Sequence, residues 1–545
     1  MNQTARLSTV VLIALLSTNF AYCADWPQWG RTSEKNNAAG PGKLPTKWEV
    51  GEFERKTGRW LDDSAENMLW VQRIGSQSYG TPVVAGENVF CAGNNGAGRV
   101  KRYPDDVDLG CLFCFDRKSG EFRWQLSREK LKEGSEVDWA MQGICSVPLV
   151  EGKTLWVVTN RGEVACLDTE GFHDGKNNGP YTDEPSTEKN EADVIWYFDM
   201  MKQLGVHQHN MASCSVTALG DLLFVCTSNG ADDDGEIAAP EAPSFIALNK
   251  KTGQLVWADA SPGENILHGQ WGSPAVAVID DAAQVIFPGG DGWLYSFLAK
   301  PTDDKKPKLL WKFDCNPKDT VWEGHGQGER NNIIATPVVY DGLVYIATGQ
   351  DPEHGEGQGR LWCVDPRKRG DVSSQLVVDK DGKPVPPQRT KGFDPDKGQE
   401  VVDNPNSAVV WQYIGHDADG DGELSFKEKL YRSMSMVAIG AKGDEPPVLV
   451  LPDLSGFVRC LDAKTGKFHW SYDMMSAVWG SPLLADGKIY IGNEDGDIVV
   501  FDLSPKMKKL ATNYMGDSIY GSAVAVNGII YAATRTRVMA IGEEK

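Results

Sequence analysis

One order of apolar and polar positions recurs along the chain. A Gly/Ser-x-Pro opening leads into a short apolar strand, a Gly/Asn/Asp turn, a strand ending in Asp, a Thr-Gly turn, and a strand carrying Trp. The clearest copies run from Asp116 to Gly120 and on to Trp124, from Asn249 to Gly253 and on to Trp257, and from Asp462 to Gly466 and on to Trp470. In each, Gly takes the positive φ that closes a hairpin, and the Asp or Asn side chain bonds the turn's backbone. Openings at Gly80, Ser146, Ser213, Gly272, Ala335, Ser433, Gly480 and Gly521 make eight repeats. Trp124, Trp196, Trp257, Trp311, Trp411 and Trp470 end six of them; Leu510 stands in that place in the seventh, and the eighth stops after three strands. Met68-Leu69-Trp70, spaced before Gly80 as Trp470 is before Gly480, is expected to supply the missing strand, with Trp48 as second choice. A borrowed strand closes the ring and removes both free sheet edges. The expectation is an all-β, eight-bladed propeller of four-stranded antiparallel blades over residues 65–545, preceded by an extension at 24–64.

Composition fits this picture, since 58 Gly and 29 Pro in 545 residues suit many short strands and turns. A net charge of -21 argues against nucleic acid and acidic membrane surfaces as partners. The apolar stretch Leu7 to Leu16 follows Arg6 and is too short to span a bilayer, and small residues precede Cys23. Residues 1–23 therefore read as a removed secretion signal, and the mature chain as soluble in the periplasm or outside the cell, with no transmembrane span. Eleven Cys in an exported protein would suggest disulfides. Cys114, Cys166, Cys363 and Cys460, however, occupy one repeat position, each two residues before an Asp, and read as small buried residues. A Cys91–Cys114 bridge between neighbouring strands stays open. Inserts at 169–192 and 366–406 are rich in Asp, Lys, Gly and Pro and read as surface loops.

The motif with the most definite chemistry is the loop 417–428. Asp417, Asp419 and Asp421 hold positions one, three and five, Gly422 the sharp turn, Leu424 the apolar eighth position, and Glu428 the bidentate twelfth. Glu423 offers its carbonyl and Ser425 a water-mediated contact. The stretch is expected to be an EF-hand-type Ca²⁺ loop grafted between a blade strand and the next blade, without paired helices.

The Asp-x-x-Thr-Gly-x-x-x-Trp phrase resembles the tryptophan-docking repeat of the pyrroloquinoline quinone (PQQ) propellers, which include quinoprotein alcohol dehydrogenases and outer-membrane assembly lipoproteins. The resemblance covers about residues 65–542. The opening Asp25-Trp26-Pro27-Gln28-Trp29-Gly30 and the block Gly349 to Gly357 are similar to secreted PQQ-like repeat proteins. In such a ring the connections into the inner strands, and the turns between second and third strands, meet at one mouth. The repeat sends His207, His209, His268, His325, Trp271 and Arg330 to the connections, and Asp291, Asp351, Glu353, His354, Asp453, Glu494 and Asp495 to the turns. Two readings follow. In one, the mouth is a non-catalytic recognition surface for a protein, peptide or glycan. In the other, it holds PQQ or a transition metal, with Arg161, Arg330 and Arg535 pairing the quinone's carboxylates, Trp271 beside it, and His207, His209, His268 and His325 as metal ligands. The resemblance implies an adjacent Cys-Cys pair for the quinone enzymes, and this chain has none. Cys111-Leu-Phe-Cys114 also lacks the His of a haem attachment site. The expectation is an exported binding or scaffold module with a structural Ca²⁺ site, the alternative a PQQ-dependent dehydrogenase.

Overall fold

The computed structural model describes residues 25–40, 42–323, 328–349 and 357–543. The expected secretion signal therefore lies outside the described residues, as do His325, Asp351, Glu353 and His354. Eight four-stranded antiparallel blades form a β-propeller. From inner to outer strand, blade 1 runs from Val83–Ala85 to Phe122–Glu129, blade 2 from Leu149–Glu151 to Val194–Asp199, and blade 3 from Thr217–Leu219 to Leu255–Asp259. Blade 4 runs from Ala275–Ile279 to Leu309–Asp314, blade 5 from Val338–Tyr340 to Val409–Tyr413, blade 6 from Ala438–Gly440 to Phe468–Asp473, and blade 7 from Leu483–Ala485 to Lys509–Tyr514. Blade 8 has Val524–Val526, Ile529–Ala533 and Arg537–Ile541, and its outer strand is Met68–Arg73, with Trp70 opposite Ala540. The borrowed strand is thus the one carrying Trp70. Trp48 packs beside blade 7 instead, where Asn513 Oδ1 accepts its backbone N–H at 3.1 Å.

The recurring residues have distinct physical jobs. Each Trp stands across the strand pair from a small residue: Cys114 faces Trp124, Cys166 faces Trp196, Ala247 faces Trp257, Cys363 faces Trp411 and Cys460 faces Trp470. A bulge follows at that point in each of these pairs, kinking the outer strand so that the indole reaches the next blade. The cysteines are there because they are small and apolar; the ten described ones are all buried and free, so Cys91 and Cys114 form no bridge.

The openings hold the inner strands together around the channel. At five openings the Ser or Thr hydroxyl accepts a backbone N–H from the preceding blade: Val147 to Ser215 and Ser215 to Ser273 at 2.9 Å, Met436 to Ser481 at 2.9 Å, Ser481 to Ser522 at 2.7 Å, and Ser522 to Thr81 at 2.9 Å. These donors sit where no neighbouring strand can reach them, and a buried N–H without an acceptor costs about 1–3 kcal/mol. The last link crosses the seam between blades 8 and 1.

The extension at 24–64 is more than a leader to the ring. Residues 25–39 cross the channel and cap the free inner edges of the inner strands. Trp26 exchanges both backbone bonds with Val84, Pro27 O accepts from Val150 at 2.8 Å, Ser33 O from Val276 at 2.8 Å, and Glu34 O from Val339 at 2.9 Å. Asn36 exchanges two bonds with the Ile439 backbone, and Asn37 O accepts from Leu484 at 3.1 Å. Lys35 is fully buried in this plug, its ammonium donating to Gln28 Oε1 and Trp29 O at 3.2 Å. All six inner-strand residues stand three positions beyond their opening hydroxyl or its equivalent, so the plug sits deep in the channel, away from the mouth.

The insert 366–406, expected to be a loop, contains strands. Gly370–Asp371 adds in parallel to the outer strand of blade 4, and Gln375–Val378 pairs with Glu400–Asp403. The chain then reaches the mouth side, where Thr390 O accepts from Trp322 at 2.8 Å and Arg389 donates to Ile266 O at 2.8 Å. The insert 169–192 returns along the edge of blade 1, with Arg102 paired to Glu191. Among the described residues no helix is long and apolar enough to cross a membrane.

Candidate functional site

The residues just ahead of the inner strands line a cavity of about 350 Å³ at the mouth, and Trp29 of the plug is its floor. Its walls are mainly apolar and aromatic, with Tyr79, Trp139, Met211, Trp271, Ile334, Met434, Trp479 and Tyr520 among them. Tyr79, Trp479 and Tyr520 form one aromatic wall, with ring centroids 4.9 to 5.9 Å apart. Glu494, in the second-to-third-strand turn of blade 7, accepts from Trp479 Nε1 at 3.1 Å and from the Tyr520 hydroxyl at 3.2 Å. Thr336 Oγ1 accepts from Trp29 Nε1 at 3.1 Å and fixes the floor. The channel is therefore a cup, closed below by the plug and open at the mouth. Sequence reasoning did not name this wall, although a signal exists: an aromatic residue immediately precedes Gly at four openings, Tyr79-Gly80, Trp271-Gly272, Trp479-Gly480 and Tyr520-Gly521.

Of the expected ligand residues, two histidines come together. His209 Nδ1 lies 2.7 Å from Ala231 O, an oxygen that only accepts, so Nδ1 carries the proton. His209 Nε2 then faces His268 Nε2 at 2.6 Å. Both rings contact Trp271, whose Nε1 donates to His209 O at 3.1 Å. The pair offers two nitrogen ligands, half of a tetrahedral set. His207 is held through its backbone, to Asn229 Oδ1 at 3.0 Å.

The three arginines expected to meet a quinone do not border the cup. Arg161 donates to Glu129 O at 3.0 Å and stands 3.6 Å from Glu163. Arg330 is buried 3.6 Å from Asp314, and Arg535 lies 3.3 Å from Asp517. PQQ carries three carboxylates, and guanidiniums already paired to protein carboxylates do not answer that charge. Of that set only Trp271 reaches the cavity wall. Two expected mouth carboxylates are buried turn locks: Asp453 holds Arg459 and the Phe457 N–H, while Asp291 accepts from the Tyr295 hydroxyl at 2.5 Å. Burial pushes the Asp291 carboxyl up to about 7.

In the loop 417–428 the Asp417, Asp419 and Asp421 carboxylates converge, each offering an oxygen within 4.8 Å of the others. Asp417 accepts from the Gly420 and Gly422 N–H groups at 2.7 and 3.0 Å, which wraps the backbone around the carboxylates. Glu428 closes the loop, its two oxygens accepting from Ala418 N at 2.7 Å and Ser425 N at 2.8 Å. Those bonds with Ser425 and Ala418 hold its carboxyl down to about 2. Glu423 and Ser425 are exposed.

Residues 397–506 match the family model described as outer membrane protein assembly factor BamB. The chain is an eight-bladed β-propeller, consistent with the PQQ-like group. No curated protein sequence matches it. Among solved structures, the propeller is similar to BamB from Moraxella catarrhalis, at 14% identity and a TM-score of 0.48 over 87% of this chain and 99% of that one. It is also similar to the quinohemoprotein alcohol dehydrogenase from Comamonas testosteroni, at 10% identity and a TM-score of 0.43 over 96% and 81% of the two chains. For a europium-containing methanol dehydrogenase the values are 12%, 0.41, 95% and 91%. Likenesses this remote assign no activity to this chain.

Proposed function

We propose that this chain is an exported, non-catalytic recognition propeller that takes a protein, peptide or glycan ligand into the cup of its mouth. The cup itself carries this reading: an apolar, aromatic cavity of about 350 Å³, with the nearby arginines committed elsewhere, suits desolvation of a ligand's apolar group. The loop 417–428 binds Ca²⁺ in this proposal and stiffens the connection from blade 5 to blade 6. Affinity capture from an envelope extract tests the recognition role. A ligand held by the wild type and lost by Met211→Arg, which fills the cup, supports it; equal capture by both overturns it. A quinone-dependent dehydrogenase is the second reading, favoured by Trp271 in the cavity wall, since an indole face suits a planar cofactor. Mixing the protein with PQQ and following a bound-quinone spectrum and dye reduction with simple alcohols separates the two.

A further inference from the structure

We propose that the cup takes an apolar side chain flanked by Lys or Arg from a protein partner, with the cation resting against Glu494 and the aromatic wall. This deepens, and rests on, the reading of the mouth as a recognition face.

Glu494 is the decisive residue. Both groups that donate to it, Trp479 Nε1 and the Tyr520 hydroxyl, are neutral, and among the described residues no ion pair holds it. Three other carboxylates near the mouth have cations of their own: Asp138 has Lys130, Asp517 has Arg535, and Glu163 has Arg128 at 2.7 Å. A half-buried carboxylate at the edge of an aromatic wall is a place where a ligand's cation gains twice, from the charge and from the negative ring faces. Below it the cup offers apolar surface down to Trp29, which suits the ligand's uncharged body.

The charge of the face points the same way. Asp232, Asp233, Asp234 and Glu236 crowd one turn on the mouth side, and the loop 417–428 adds Asp417, Asp419, Asp421, Glu423 and Glu428, on a chain whose net charge is -21. Such a field draws cationic segments and repels acidic ones. The apolar surface also continues past the cup: Trp139 is 36% and Met141 45% exposed on the connection from blade 1 to blade 2. That extent fits a peptide with residues on either side of its anchor better than a lone small amine.

Calorimetric titration with three synthetic pentapeptides tests the assignment: Gly-Lys-Trp-Lys-Gly, Gly-Glu-Trp-Glu-Gly and Gly-Lys-Ser-Lys-Gly. The first is expected to bind at least about tenfold more tightly than either of the others, and Glu494→Gln to weaken it by about tenfold while keeping an acceptor for Trp479 and Tyr520. Trp139→Ala, a change on an exposed side chain, is expected to weaken it severalfold. Salt titration of the wild type needs no variant, and affinity for the Lys peptide should fall as salt rises. Equal binding of the Lys and Glu peptides, binding of none, or tryptamine binding as tightly as the Lys peptide overturns the proposal. If Met211→Arg abolishes capture from the extract while the Lys peptide fails to bind, this inference alone falls. If capture ignores Met211→Arg, the recognition reading falls with it.

Discussion

Trp70 lies before the first blade in sequence, yet its indole packs against Gly120 of that blade so closely that a Cβ on Gly120 would stand 2.6 Å from the ring. Its Nε1 donates to Arg117 O in the same turn at 3.1 Å. As part of blade 8, Trp70 presses on the Thr-Gly-type turn of the next blade around the ring. Trp124 meets Gly171 in this way, Trp196 meets Gly253, and Trp411 meets Gly466. The repeat's Gly and Trp are therefore two halves of one contact between neighbouring blades, and Gly is required both for its positive φ and for the room it leaves.

Gly120→Ala is accordingly expected to cost more than Gly152→Ala. Both sites have positive φ, +71° and +60°, but nothing lies within 4 Å of a Cβ on Gly152. Backbone strain costs about 1–2 kcal/mol at either position. Overpacking against Trp70 adds about 1–3 kcal/mol at Gly120 alone. Urea midpoints of the two variants check this, and equal losses would mean the indole yields.

Thr81→Val preserves shape and removes the acceptor for the Ser522 N–H across the seam. Thr81 is buried, so the orphaned donor is expected to cost about 1–3 kcal/mol. A thermal melt of this variant that matches the wild type would remove the hydroxyl relay as a source of ring stability.

For the loop 417–428, Ca²⁺ is expected to bind with a Kd of about 10⁻⁴ to 10⁻³ M, the range of extracellular modules. Saturating Ca²⁺ should raise the Tm by mass action. Asp417→Ala should abolish both the calorimetric heat and the Tm shift, because Asp417 supplies one of the converging carboxylates and gathers the loop backbone. Identical heats from the two proteins would show an acidic turn and no site.

Lys35 provides a pH signature for the plug. Burial lowers its ammonium to about 7 from the ordinary 10.5. Between those values the unfolded chain holds more protons than the folded one, so Lys35 makes stability rise with pH across that window. Below about 7 the folded protein must carry a buried charge, and the contribution is lost. Lys35→Met should flatten the difference between melts at pH 7 and pH 9 relative to the wild type. An unchanged slope would place the ammonium in contact with water.

The ring was legible in sequence because blade after blade repeats most of the same demands, a hydroxyl at the opening, Gly at the outer turn and Trp after it, with exceptions such as Leu510. The spacing of Trp70 from Gly80 even located the closing strand. The plug was not, because residues 25–39 work through backbone bonds to strand edges and leave no apolar period to read. Topology also placed His209, His268 and Arg330 at the correct end of the blades without saying which way they point. His209 and His268 meet, whereas Arg330 turns to Asp314, since a loop position fixes height along the channel and not distance from its axis.

Because residues 25–39 stopper the bore and lead into Met68–Arg73, the strand that completes the sheet of Val524–Ile541, the ring stays unshut until that sheet is made. A ribosome-bound chain that ends before Val524 has seven blades and an unmatched Trp70. Closure of the ring is then a late event, governed by contacts between strands far apart in sequence.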